Sequence, residues 1–552
     1  MQGFASFRPY RWDPRPATFT CHPSPGCGIP RNRTLGTDFG LENPPMMPGE
    51  GMTADTTGRK GVDPALVIAA ITVLALVLRF WRLGEWNFEA TEMFTLRDSL
   101  RPRWGNSRPL GYLLNYYVIG PFRPLDELGL RILPAMFGVL AVPAMYYVTR
   151  RLIGTRAALF SALLLAVSGL HVFYSQFARY WSLVFLFSAI YPYALYVGIR
   201  DNNRRALLFG VVTAALAVLA HPVSILLVGG PAIWLAFTYL RPGYLREAWK
   251  HTGFRWAAGI AVILVVVVAI RLLPLFQEWV SMHDKNPGMG QFLRGPKRAP
   301  GIKQMALLTA YLEGLTIPVA MAGAVGVYLL WRERDRTLGA FLASLAIFPL
   351  AFIALISART PVSTYYLLPS APVFFIGAGI FLDRVWQVEW RTPPRWLVPA
   401  TIVVLFILAG APTLLSQYRN GRRFDFRGVA HWLAPRLSEG DIVYSDQPMV
   451  LAHYLDDREV RKLRPNPEPL EEAVGEARSA GGSALWVIAP APAHAFRTNL
   501  RPGGLADWMY EHCQMRNTVG RGRLDFRQQY LQVYRCPPMA GRDDAVEPTD
   551  SR

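Results

Sequence analysis

The chain has 552 residues, of which 52% are hydrophobic and 18% charged, less charge than a soluble protein of this size carries. Its formal charge is +19, from 58 Lys+Arg against 39 Asp+Glu. The arginines lie between apolar blocks rather than on one face or in one tail. Nucleic acid is therefore excluded as a partner, and cationic flanks of membrane helices account for the count.

Residues 1–60 are rich in Pro, Gly and Arg and lack apolar periodicity, so they read as disordered. Met47 and Met52 are plausible true starts, and no apolar core follows Met1 closely enough for a cleavable signal peptide. The membrane unit is expected over 61–416. Its first span runs from about Pro64 to Leu83, with Arg59 and Lys60 placing the N-terminus in the cytoplasm. A first outer loop, 84–126, follows. Within it, Pro109 to Phe122 is too short to cross and reads as a helix lying at the outer surface.

Further spans are expected near 128–149, 156–173, 180–199, 206–220, 222–240, 256–275, 306–331, 337–357, 363–382 and 396–416, about eleven crossings with the first. The loops that then fall inside all carry arginines, such as Arg150, Arg151 and Arg156, while the basic loop 276–304 falls outside against the trend. An odd number of crossings puts residues 417–552 outside. There Asp441–Ser445, Ala484–Ile488 and Leu531–Tyr534 read as strands, and Phe426–Leu437 and Glu471–Ala480 as helices. The fold class is thus an α-helical polytopic membrane protein with a small C-terminal α/β extracytoplasmic domain. Cys513 and Cys536 in that domain are either a disulfide or two buried thiols. No CxxC pair points to zinc.

Two segments expected at the outer face carry chemistry. In the first, Glu85, Glu89 and Glu92 share one side if 85–97 is helical. A carboxylate there can take a proton from a hydroxyl, and the same spacing also suits a solvated acidic face. In the second, 171–181, His171, Ser175 and Arg179 align if the helix continues. Arg179 beside Tyr and Trp either holds a lipid phosphate or snorkels. Arg79 and Arg82, at the end of the first span, face the same two readings, as does Arg359 beyond the span ending near Ile356. Glu313 is a candidate as a carboxylate near a span's outer end. His221, before Pro222, reads as part of a tight turn.

Leu130-Arg131-Ile-Leu-Pro-Ala-Met-Phe-Gly, Arg150-Arg-Leu-Ile-Gly-Thr-Arg156, Tyr174-Ser-Gln-Phe-Ala-Arg179-Tyr180 and Tyr365-Tyr-Leu-Leu-Pro369, in that order along 62–420, resemble the polytopic glycosyltransferases that use polyprenyl-phosphate sugars. That group, the GT-C fold, includes protein O-mannosyltransferases and the aminoarabinose transferase of lipid A. The resemblance implies an inverting transfer to an acceptor hydroxyl at the outer face of a bacterial cytoplasmic membrane. It implies Glu92 or Glu89 as the base, Arg179, Arg108 and Arg359 on the donor phosphate, and His171, Tyr174 and Glu313 as further site residues. No cofactor is implied, although free carboxylates could hold one divalent cation. Lipid, protein and polysaccharide are all open as the acceptor. Two departures stand out: Thr91-Glu92 occupies the place of the family's Asp-Glu pair, and Ser107-Arg108-Pro109-Leu110 replaces a His-Pro-Pro-Leu-like stretch. A transporter, or an inactive relative acting as an assembly partner, are the competing readings.

Overall fold

A computed structural model describes residues 62–104, 106, 108–239, 249–250, 255, 259, 302–357, 362–389, 394–464, 467–479, 483–491, 505–520 and 530–536. Its membrane part contains α1 (Pro64–Phe80), α2 (Ala90–Leu100), α3 (Pro109–Leu114), α4 (Glu127–Leu152), α5 (Thr155–Ala166), α6 (Gly169–Ser175), α7 (Trp181–Arg200), α8 (Arg204–Ala220) and α9 (Leu226–Tyr239). These are followed by α10 (Ile302–Leu315), α11 (Ile317–Leu329), α12 (Arg336–Ser357), α13 (Ala371–Gln387) and α14 (Leu397–Asn420).

Helix starts follow local chemistry. Asp63 accepts a hydrogen bond from the Ala65 amide ahead of Pro64, and Asn203 does the same for Arg205 and Ala206. Five helices among the described residues are long and apolar enough to cross a bilayer, and up to seven if each of two bent pairs counts as one span. This is a multi-pass membrane protein, but the eleven crossings expected from the sequence are not confirmed. The span expected near 256–275 and the loop at 276–304 lie outside the described residues.

Two expected spans are broken. α5 and α6 meet at 61°, and α10 and α11 at 92°, across Thr316 with φ of 67° and Pro318 behind it. α11 and α13 pack backbone to backbone: a Cβ on Gly377 would lie 2.1 Å from the Gly323 carbonyl oxygen.

A five-stranded sheet follows the bundle. Its strands are β1 (Ile442–Ser445), β2 (Arg461–Lys462), β3 (Leu485–Ala491), β4 (Gln514–Gly520) and β5 (Tyr530–Cys536), in the order β2-β1-β3-β5-β4. The β2, β1 and β3 strands run parallel, with Ile442 opposite Leu485, and the last two pairings are antiparallel. Helices α15 (Phe426–Leu433), α16 (Pro448–Tyr454), α17 (Glu468–Ser479) and α18 (Leu505–His512) cover it. Cys513 and Cys536 form a disulfide.

The sheet domain does not hang free. Phe88, Met93, Leu130 and Ala178 of the membrane part share one apolar core with Phe426, Val429, Val443 and Ile488. Polar ties surround that core. The Tyr454 hydroxyl donates to Glu127 at 2.6 Å and accepts from the Phe88 amide at 2.7 Å, and Arg427 pairs with Glu127.

Candidate active site

α2 begins directly after Glu89, so the three carboxylates do not share a helix face. Glu85 precedes the helix and pairs with Arg82 at 2.5 Å. Glu89 is the N-cap and Glu92 the third helical residue, and together they close a capping box. The Glu92 Oε2 accepts from the Glu89 amide at 2.9 Å. The Glu89 Oε2 accepts from the Thr91 hydroxyl at 2.6 Å and from its amide at 3.3 Å. The Glu89 Oε1 makes no hydrogen bond among the described residues, and the side chain is half-buried.

Glu92 is fully buried. Its Oε1 accepts from Arg131 Nε at 3.1 Å, Arg423 Nη2 at 2.9 Å and the Ala178 amide at 2.6 Å, while Oε2 also accepts from Arg131 Nη2 at 3.0 Å. Burial pushes the Glu92 carboxyl upward, but the guanidinium groups of Arg131 and Arg423 and the bonds from Arg131 and Ala178 outweigh it and hold the group below the usual glutamate value. Arg131 also donates to the carbonyls of Leu83, Trp86 and Asn87, so it stitches the entry to α2 onto α4. Sequence reasoning quoted Arg131 only as part of a motif and gave Arg423 no role. No local signal marks either, because their carboxylate lies 39 and 331 residues away.

α6 ends at Ser175, so Arg179 does not continue its face but sits in the turn before α7. Its Nη1 donates to Thr95 Oγ1 at 3.2 Å. Burial, and after it the neighbouring charge of Arg108, hold this guanidinium below the usual arginine range, and Tyr112, Tyr365 and Tyr180 lie around it. Arg108 caps α3, and its buried Nε has no hydrogen-bond partner among the described residues. Neither arginine has a carboxylate partner among them.

Close packing brings these two segments together. A Cβ on Gly111 of α3 would lie 2.2 Å from the Tyr180 ring, and Asn115 donates to the Tyr180 hydroxyl at 2.8 Å and to Ser99 at 3.1 Å. His221 joins the same cluster: its ring lies 4.5 Å from Trp181, which also packs at 4.6 Å on Tyr365. Its Nδ1 accepts from the Val223 amide at 3.0 Å, as a turn-forming residue should. Tyr174 is buried within electrostatic reach of Glu89, Arg422 and Tyr365.

Arg79 neither snorkels nor faces an open site; it is wholly buried. It donates to the carbonyls of Ala75, Leu165 and Ala166 at 3.0–3.2 Å and contacts His171 Nδ1 at 2.8 Å. His171 is thereby a partner of Arg79 inside the bundle, and Ser175 donates to its carbonyl at 2.6 Å. Glu313 is exposed on α10. Arg359 lies outside the described residues. Among those described, no group of three or more His, Cys, Asp or Glu side chains comes together to hold a metal ion.

Residues 117–270 match the family model of dolichyl-phosphate-mannose-protein mannosyltransferases. No curated protein sequence matches the chain. Among solved structures, ArnT from Cupriavidus metallidurans in the apo state is similar at 15% identity and a TM-score of 0.54, over 85% of this chain and 97% of that one. The same protein bound to undecaprenyl phosphate gives 15%, 0.51, 85% and 97%. The apo oligosaccharyltransferase of Archaeoglobus fulgidus gives 14% and 0.51, over 79% of this chain and 70% of that one. The chain has the GT-C fold.

Proposed function

We propose that this protein transfers a sugar from a polyprenyl-phosphate donor to an acceptor hydroxyl, at the outer face of a bacterial cytoplasmic membrane. The observation that carries the reading is the pairing of Arg108 and Arg179. Two half-buried guanidinium groups lie close enough to repel, without a carboxylate between them among the described residues, and Arg179 is tied through Thr95 to α2, the helix that Glu89 caps. Such a site wants a dianion, and a phosphate ester suits two cations. The ArnT relative bound to undecaprenyl phosphate supports a lipid phosphate as that dianion.

Glu89 is the general base of this reaction. Its Oε1 takes the acceptor's hydroxyl proton as the acceptor oxygen bonds to the anomeric carbon. The bond from that carbon to the phosphate oxygen breaks, and the polyprenyl phosphate leaves with the electron pair. Arg108 and Arg179 stabilise the charge that grows on it. Attack from the face opposite the phosphate inverts the anomeric centre. Glu92 does not act as a base here, because five donors occupy its two oxygens and its lowered pKa makes it a poor proton acceptor. The disulfide between Cys513 and Cys536 supports an extracytoplasmic position for the sheet domain, since such bonds persist in oxidising compartments.

The test is mass spectrometry of lipid-linked sugars and envelope glycans in a deletion strain. Loss of one glycan and accumulation of its lipid-linked donor are expected, with the wild-type gene restoring both. Glu89→Gln should lower transfer by about 10²–10⁴-fold, the usual worth of a general base, while the protein still reaches the membrane. Restoration by Glu89→Gln at wild-type level would remove Glu89 from the chemistry. A deletion strain with unchanged glycans and lipid-linked sugars would instead favour the inactive assembly partner, a reading that Thr91 in place of the family's Asp supports.

A further inference from the structure

Arg423 lies in the five-residue link, 421–425, between the last membrane-part helix and the sheet domain. The link is tightly made. Gly421 takes a φ of 64°, and a Cβ there would lie 2.4 Å from the Trp86 ring, so only glycine fits the turn. It sends Arg423 inward, 5% exposed, with its guanidinium 5.2 Å from the Phe177 ring and Nη2 on Glu92.

The charge count at this point is unusual. Arg131 already pairs with Glu92 through two bonds, which makes a neutral buried pair. Arg423 adds a second cation to the same carboxylate, and its Nε and Nη1 are buried without a partner among the described residues. Burial therefore lowers the Arg423 guanidinium to about 10, despite the opposing pull of Glu92 and, more weakly, of half-buried Glu89. A second buried cation on one carboxylate, with incomplete hydrogen bonding, weakens a core rather than strengthening it. What it adds is a connection. Arg423 binds the Glu92 Oε1, and that same oxygen accepts from the Ala178 amide, next to Arg179.

We propose that Arg423 is a positioning residue: through Glu92 Oε1 it fixes the Ala178–Arg179 turn, so that the link into the sheet domain sets the affinity of the lipid-phosphate site. The proposal rests on the reading of Arg179 as a phosphate ligand. Arg423 itself touches no substrate. Its removal leaves the Glu92–Arg131 pair whole, so the fold survives, but the turn loses one of the ties that aim Arg179. Small displacements of an aligned group are enough to cost affinity.

The experiment measures binding of a polyprenyl phosphate to the full chain in lipid nanodiscs, followed by the fluorescence of the tryptophans, Trp181 among them. Arg423→Gln should raise Kd about tenfold, and Arg423→Lys should bring it back to within about threefold of wild type. Arg458→Gln serves as control: Arg458 donates to the carbonyls of Ser438, Glu439 and Asp441 within the sheet domain, away from the turn, and its loss should leave Kd unchanged. An Arg423→Gln protein that binds like wild type, while Arg179→Ala binds poorly, overturns the positioning role and leaves the phosphate site standing. Equal weakening by Arg423→Gln and Arg458→Gln also overturns it, since that pattern is general destabilisation. Wild-type binding by Arg179→Ala removes the phosphate site itself, and the role of Arg423 with it.

Discussion

Glu89 and Glu92 stand three residues apart on one helix turn, yet their surroundings differ. Glu92 is buried against two guanidinium groups and serves as a structural anchor; Glu89 keeps one oxygen unengaged. Thr91 bears on the difference. Its hydroxyl holds the Glu89 Oε2 in place, at the position where the resembling family carries an aspartate. If the carboxylate has moved by two residues, it can be moved back. Glu89→Gln should abolish most transfer, and the double variant Glu89→Gln/Thr91→Asp should recover at least a tenth of wild-type activity. The glycan assay above checks this, and a double variant as inactive as Glu89→Gln would show that position 91 does not reach the acceptor. The expectation that either Glu89 or Glu92 is the base was open in the sequence because spacing carries no information about burial.

Breaks in helices expose backbone carbonyls, and this fold meets that cost with side chains from other elements. At the α5–α6 bend the carbonyls of Leu165 and Ala166 are taken by Arg79. Favourable placement of a cation at a helix C-terminus lets the charge sit there without a carboxylate. At the end of α1, Gln176 donates to the carbonyls of Arg79 and Trp81 at 3.2 and 2.8 Å and accepts from Gln417 at 2.8 Å. Arg79→Met should therefore leave the Ala166 carbonyl unpaired, while Leu165 keeps the Ser168 amide, and destabilise the bundle by about 1–3 kcal/mol. Size-exclusion chromatography with a fluorescent fusion checks this: aggregated Arg79→Met protein is expected, and a monodisperse peak with wild-type melting would contradict it. The hydrophobic blocks announced these helices, but two of the spans read as continuous are bent, since apolar composition does not register a change of direction.

At the scale of the molecule, the sheet domain and the membrane part share a core and a set of ion pairs, so acid and alkali act on both together. Glu92 has a lowered pKa; its contribution is present above the unfolded glutamate value and lost as pH falls through the lower folded one. Asp446, at the end of β1, runs the other way. Burial pushes its carboxyl up to about 6, against the nearby charge of Lys462 and the Gln447 amide. Its favourable contribution is full below the unfolded aspartate value near 4 and lost as pH rises to about 6. Asp446→Asn is thus expected to melt higher than wild type at pH 7.5 and to lose that advantage near pH 4. Thermal unfolding at the two values checks it, and an unchanged difference between variant and wild type would show that Asp446 pays no burial cost.

The sequence alone determined that this is a multi-pass membrane protein with a small sheet-bearing C-terminal part, and through ordered motifs it pointed to the GT-C fold. It did so because hydropathy, strand patterning and motif order are properties of neighbouring residues. It also drew attention to Glu89, Glu92, Arg108 and Arg179. Only the tertiary structure separated the buried carboxylate from the half-buried one, paired Arg79 with His171 inside the bundle, and brought Arg423 to Glu92 across 331 residues. The reason is physical: the state of an ionisable group depends on burial and on partners in space, and neither is written in the spacing along the chain.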